Sequence, residues 1–271
     1  MIMEMKELYD LIELPPDVVG CLQAAGDEVD PEQVAPYLER MTDRQTAAEA
    51  YKDLVSLLAE DTDQWKMLYC QLECARRLSE RYRQRGIEGT VYADTMKCFT
   101  RFLKECGKKN GRMFFDRGWW TYRQVSMALF RIGTLEYEFD TQEGENTVAV
   151  HIPSDADLSP EAVDRSFGEA GAFFRDYFPE YKYDRYTCES WLMSPVLKQM
   201  LPDRSNIVSF QERFTVTSVD REDREFIEWL FQVPKETAYD RLPARTTLQR
   251  TVRALLLEGG TVGAAFGIIK M

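Results

Sequence analysis

Near residue 130 the spacing of apolar side chains changes from helical to alternating, and this change limits what the chain can become. Before it, Trp65, Leu68, Tyr69, Leu72, Ala75 and Leu78 recur at three- and four-residue intervals, which predicts one long helix over 64–85 ending at Gly86. Ala47, Ala50, Tyr51, Leu54, Leu57 and Leu58 give a second stripe, preceded by Thr42 and Gln45 at capping-box spacing. Asp30 before Pro31 reads as an N-cap with proline in the first turn. Further helices are expected at about 92–105 and 119–131. After it, Leu135, Tyr137 and Phe139 alternate with Glu136 and Glu138, and Gly144-Glu145-Asn146 turns the chain into a strand ending at His151.

The second half continues with a helix from Ser159-Pro160 through Phe178 and a strand over 186–192. A short helix at 194–201 and a long strand at 206–217 follow. Helices near 221–231 and 246–258 precede a last strand over 261–269. A helical N-terminal domain (1–129) followed by an α/β (α+β) domain with a mixed β-sheet and flanking helices (130–271) is the expected fold class.

The chain has 271 residues, with 34 Lys/Arg against 46 Asp/Glu and a net charge of −12. Such acidity argues against nucleic-acid partners, because phosphate backbones need a basic face. Residues 76–123 run the other way, with 13 Lys/Arg against 5 Asp/Glu. That belt is either a solvated helix face or a seat for an acidic partner or small anion. No apolar run approaches the roughly 20 residues that span a bilayer, and the acidic start Met1–Glu7 is no secretory signal. Six cysteines without paired C-x-x-C spacing fit reduced thiols in a cytoplasm. Composition does not fix the oligomeric state.

The most particular stretch runs from Cys188-Glu189-Ser190-Trp191-Leu192-Met193-Ser194-Pro195 through Ser205-Asn206-Ile207 to Phe210–Val216. With Phe130–Phe139, His151-Ile152-Pro153, Ser166, Phe173-Phe174 and Thr247-Leu248-Gln249, it resembles the bacterial acyltransferase-domain family that joins an all-helical N-terminal domain to a GNAT-like C-terminal domain. The helical half matches through Arg85-Gly86-Ile87, Asp94-Thr95 and Trp119-Trp120.

The resemblance implies transfer of an acyl group from acyl-CoA to an amine. GNAT enzymes rest the pyrophosphate of CoA on the amides of a glycine-containing loop after a central strand, where a helix N-terminus favours negative charge. The corresponding loop here, Pro153–Ser159, has no glycine, no basic residue and two aspartates. Arg83–Gly89 imitates that loop but follows a helix, so Gly86 reads as a helix terminator. Gly107-Lys108-Lys109-Asn110-Gly111-Arg112 is either a turn or an anion-binding nest, and makes Lys108, Lys109 and Arg112 the candidate contacts for CoA phosphates.

His151, the single histidine, is the candidate general base, or else a side chain that fixes the turn before Pro153. Ser190 and Asn206 complete the candidate catalytic set. Glu189 and Ser190 alternate, so only one of them faces a cleft, and Ser205-Asn206 is otherwise a turn. Trp191 serves a pocket or a core equally, and Trp119-Trp120 with Tyr122 reads as packing. Cys188 is a candidate nucleophile or a packing residue, and Cys70 with Cys74 sits one helical turn apart without further ligands, so no metal is expected. Two rival readings remain: a GNAT-like binding or regulatory module that no longer catalyses, and a transferase whose donor is carried by an acidic acyl-carrier protein received by the basic belt.

Overall fold

The computed structural model describes residues 3–270, so Met1 and Ile2 of the acidic start lie outside it. The chain divides into two compact units, 1–132 and 133–271.

The first unit is helical: α1 (Met5–Leu11), α2 (Pro16–Glu28), α3 (Pro31–Met41), α4 (Ala47–Leu57), α5 (Trp65–Gln84), α6 (Gly89–Met96), α7 (Cys98–Asn110) and α8 (Gly118–Thr121), then strand β1 (Leu129–Ile132). The long α5 is its axis, burying Leu68, Leu72, Ala75 and Leu78 as its stripe requires. The Asp30 carboxylate caps α3 by accepting from the Glu32 and Gln33 amides. Gly86 ends α5 at φ +71°, and the Ile87 amide reaches back to the Tyr82 carbonyl.

Three expectations fail here for local reasons. Thr42 does not cap α4. It closes α3, where its hydroxyl donates to the Glu39 carbonyl, and Asp43 accepts from the Gln45 amide instead. The helix expected over 92–105 is α6 and α7, divided at Lys97. The helix expected over 119–131 stops at Thr121. A single 3-10 turn follows at Gln124–Ser126, and Met127 takes φ +56°, a left-handed conformation that breaks the helix before β1.

The second unit opens with the hairpin β2 (Leu135–Gln142) and β3 (Glu145–His151). Glu143 (φ +55°) and Gly144 (φ +85°) form its two-residue turn. Then follow α9 (Pro160–Tyr177), β4 (Arg185–Ser190), α10 (Pro195–Met200), α11 (Asn206–Gln211), β5 (Thr215–Asp220), α12 (Glu225–Phe231), α13 (Thr247–Leu257) and β6 (Ala264–Lys270). Its strands lie in the order β2-β3-β4-β6-β5. The β3–β4 pair is parallel, while the pairs β2–β3, β4–β6 and β6–β5 are antiparallel, so the sheet is mixed.

One face of this sheet carries Tyr137, Phe139, Val148, Val150, Tyr186 and Cys188 and packs on α9. Phe167 meets the Tyr137 and Tyr186 rings, and Phe174 meets Phe139. A second apolar cluster of Leu197, Phe226, Ile227, Phe231, Val252 and Leu256 binds α10, α12 and α13 together.

The segment 206–217 is not one strand: 206–211 is helical and the strand begins at Thr215. Buried Val208, Phe210 and Gln211 explain the helix. The Gln211 amide Nε2 donates to the Leu192 carbonyl at 2.6 Å and to the Ser194 carbonyl at 3.0 Å, which requires α11 to project its side chain inward. Helix α12 begins at Glu225, later than the expected 221. The capping box of α13 pairs Thr246 with Gln249, and the Gln249 amide also donates to the Leu230 carbonyl.

Candidate active site

Strand alternation divides the second unit's sheet into an apolar face and a polar one. The face opposite α9 carries Glu136, Glu138 and Asp140 from β2, Thr147, Ala149 and His151 from β3, and Arg185, Thr187 and Glu189 from β4. The register places Glu136 across from His151, Glu138 across from Ala149, and Thr187 beside Ala149. His151 is the last residue of β3. Its Nε2 lies 2.8 Å from Glu138 Oε2, a diagonal neighbour on the adjacent strand, and both side chains are largely buried (24% and 19% exposed). An ionised carboxylate only accepts hydrogen bonds, so with Glu138 ionised Nε2 is the donor of this pair.

Parallel pairing of β3 with β4 is confined to Val148–Tyr186 and Ala149–Thr187. Both strands run on without pairing to each other, β3 to His151 and β4 to Ser190, while β4 keeps its ladder with β6 through Ser190–Ala265. The sheet therefore opens beside His151, and two residues further along each strand His151 comes level with Glu189. Glu189 is exposed on the histidine's face.

Ser190 alternates to the other side. Its hydroxyl accepts the Leu192 amide at 3.1 Å and caps the 3-10 turn Trp191–Met193. The structure does not bring Ser190 to His151. Asn206 is the exposed first residue of α11, which packs in the α9 layer, so it too is not gathered with the histidine. Cys188 lies on the apolar face, 1% exposed, and burial pushes its thiol up to about 12, so it stays a neutral packing group. Trp191 packs against the apolar cluster of α10, α12 and α13.

The rest of the distinctive stretch is held by buried polar bonds. The Ser194 hydroxyl donates to the Val262 carbonyl at 2.5 Å and accepts from the Val196 amide. Gly267 admits Met193 and Phe214 side chains that a Cβ would meet at 2.8 and 3.1 Å.

The loop after β3 is turned by the Ala156 amide bonding to the Pro153 carbonyl. Asp157 accepts the Ser159 amide at 2.8 Å, and this hydrogen bond is the chief reason its carboxyl is held below the usual range. An amide at the start of α9 is thus already engaged by a carboxylate. Ser159 precedes Pro160 as expected but makes no side-chain cap.

The cations singled out in the sequence lie in the first unit. Lys108 and Arg112 line an open groove of about 690 Å³ with Asp17, Val18, Cys21, Trp65, Lys104 and Met113; Lys109 is not among its walls. Arg112 is held by both carboxylate oxygens of Asp63, at 2.8 and 3.0 Å. Cys70 and Cys74 are buried, and burial raises both thiols, Cys70 to about 12. Among the described residues no three His, Cys, Asp or Glu side chains gather as a metal site, and no helix is long and apolar enough to cross a membrane.

The residue that sequence reasoning missed is Glu138. The signal was present: a two-residue turn at 143–144 sets the register and places Glu138 diagonal to His151.

A similarity search of curated proteins finds no match. Among solved structures, an acyltransferase in complex with decanoyl-CoA and teicoplanin superposes with a TM-score of 0.84 at 23% identity, covering 98% of this chain and 87% of that one. A variant acyltransferase in complex with octanoyl-CoA gives 0.83 at 22% identity over the same shares. An acyltransferase with CoA and 10C-teicoplanin gives 0.71 at 20% identity, covering 99% of both chains. Residues 3–127 match the N-acyltransferase N-terminal domain and residues 129–269 the GNAT-like C-terminal domain. The chain therefore belongs to the family that carries a GNAT-like C-terminal domain behind an N-acyltransferase N-terminal domain.

Proposed function

We propose that this protein transfers an acyl group from an acyl-CoA thioester to an amine at the open end of the β3–β4 pair, with His151 as general base and Glu138 as the residue that orients it. The observation that carries the reading is the His151–Glu138 contact at the point where parallel pairing stops. The amine nitrogen attacks the thioester carbonyl carbon, and its proton passes to the imidazole of His151, directly or through one water. Backbone N–H groups released from the β3–β4 ladder stabilise the oxyanion. The C–S bond then breaks and the thiolate leaves as the CoA thiol, with the proton returned to sulfur. Because Glu138 fixes the ring, the basic nitrogen is held at one position through the cycle.

Medium-chain donors are the first to test, because the structural relatives hold octanoyl- and decanoyl-CoA. A small-molecule or peptide-borne amine is the proposed acceptor class, since two of those relatives hold teicoplanin or 10C-teicoplanin. Lys108 and Arg112 are proposed, separately, as contacts for a phosphate-bearing ligand in the first-unit groove. Support comes from Lys104 and Lys108 on its wall and from the flat Trp65 side chain beside them. The engaged amide at Ser159 favours a rival: a non-catalytic module, or a donor carried by an acidic acyl-carrier partner.

Thermal unfolding with CoA and with acetyl-, octanoyl- and decanoyl-CoA tests the reading. Ligand at about 100 times its dissociation constant adds about 2.7 kcal/mol, or about 5–10 °C for a chain of this size. A shift that grows with acyl length supports the transferase. No shift with any donor hands the assignment to the non-catalytic or carrier-dependent reading.

A further inference from the structure

The structure also points to what the acceptor must be. We propose that Glu189 is the acceptor-binding carboxylate and that the acceptor enters as a protonated alkyl amine. This rests on the transferase reading of the same sheet end.

Three observations converge on Glu189. It lies on the face of His151, two residues beyond the last β3–β4 pair, so the two side chains flank the opening. Glu189 is exposed and its side chain makes no hydrogen bond or ion pair among the described residues, whereas the Glu138 side chain is bonded to the histidine. Its antiparallel partner on β6 is Phe266, so its neighbour on that side is an apolar ring rather than a cation.

The charges on this face point the same way. Glu136 and Glu138 on β2 and Glu189 on β4 place carboxylates toward the open end, while Asp140 lies across from Thr147 toward the other end. The strand cations of this face, Arg185 and Lys270, face each other at the opposite end, where Arg185 is bonded to Asp184. A thioester is neutral at its reacting carbon and gains little from such a field. An alkyl amine is protonated in neutral water, with a pKa of about 10 like the lysine side chain, and is drawn to it.

The ammonium must lose one proton before it attacks. A carboxylate that holds the cation and an adjacent imidazole that takes the second proton, during attack, divide the task. Glu189 in this scheme binds and positions; His151 does the proton transfer. In balance, ammonium and thioester give amide, CoA thiol and one released proton.

The single histidine makes the test direct, because its imidazole C–H resonances need no assignment. n-Butylammonium chloride, n-butanol and KCl are titrated at fixed pH, with and without saturating octanoyl-CoA. The expected result is a saturable shift of the imidazole signal with butylammonium only, weakened about threefold to tenfold in Glu189→Gln and restored in part in Glu189→Asp. An equal response to butanol or KCl, no response at all, or an unchanged Glu189→Gln titration overturns the proposal. Thermal shifts with octanoyl-CoA on the same samples separate the outcomes: donor binding without an amine response removes Glu189 and leaves the transferase reading in place.

Discussion

His151 and Glu138 are joined across two strands of one hairpin, Nε2 to Oε2 at 2.8 Å, at the end of the sheet where β3 and β4 stop pairing. If this pair acts as proposed, His151→Ala lowers the acyl-transfer rate by about 10²–10⁴-fold. Glu138→Gln keeps the shape, accepts a hydrogen bond through its carbonyl, and costs less. Steady-state kinetics with a fixed donor measures both. Loss in Glu138→Gln with His151→Ala unaffected would remove the general-base assignment.

Asp157 occupies the Ser159 amide at the head of α9. Replacing it with Ala frees that amide and removes a negative charge from a helix N-terminus. CoA affinity, measured calorimetrically, is expected to rise in Asp157→Ala by a few-fold. A fall would mean that the carboxylate itself contacts the ligand or organises the loop for it.

The Gln211 side chain ties α11 to the carbonyls of Leu192 and Ser194 in a buried setting. Gln211→Ala leaves those acceptors unpaired, which costs about 1–3 kcal/mol. Urea unfolding followed by circular dichroism reads the change as a lower midpoint at constant slope.

Cys21 is exposed while the other five thiols are buried. Native protein treated with an aromatic disulfide at pH 8 should release about one equivalent quickly, and all six after denaturation. Burial that pushes Cys70 and Cys188 up to about 12 keeps them as thiols, since the pH stays far below their titration. Rapid loss of Cys188 together with activity would restore it as a functional candidate.

A Cβ at position 263 would lie 2.3 Å from the Asp220 carbonyl oxygen, and Gly263 holds φ +67°. Gly263→Ala is therefore strained twice. An expected cost of at least about 1 kcal/mol follows, read as a lowered melting temperature.

The periodicity of the chain by itself determined the helical first half, the hairpin from Leu135 to His151, the cap at Asp30 and the succession of strands and helices beyond it, because these follow from local spacing and turn chemistry. The face on which His151 and Glu138 meet was also within reach, since the turn at Glu143-Gly144 sets the register. Other features belonged to tertiary structure. Residues 206–211 alternate well enough to pass for a strand, and they are helical because buried Gln211 must meet two carbonyls from the chain before it. Residues 119–131 have helical spacing, but the α-helix stops at Thr121 and Met127 turns left-handed where the next residues enter a strand. Which of Glu189 and Ser190 faces the histidine was undecidable from alternation alone; the parallel register of β3 and β4, a pairing between segments some 40 residues apart, decided it for Glu189.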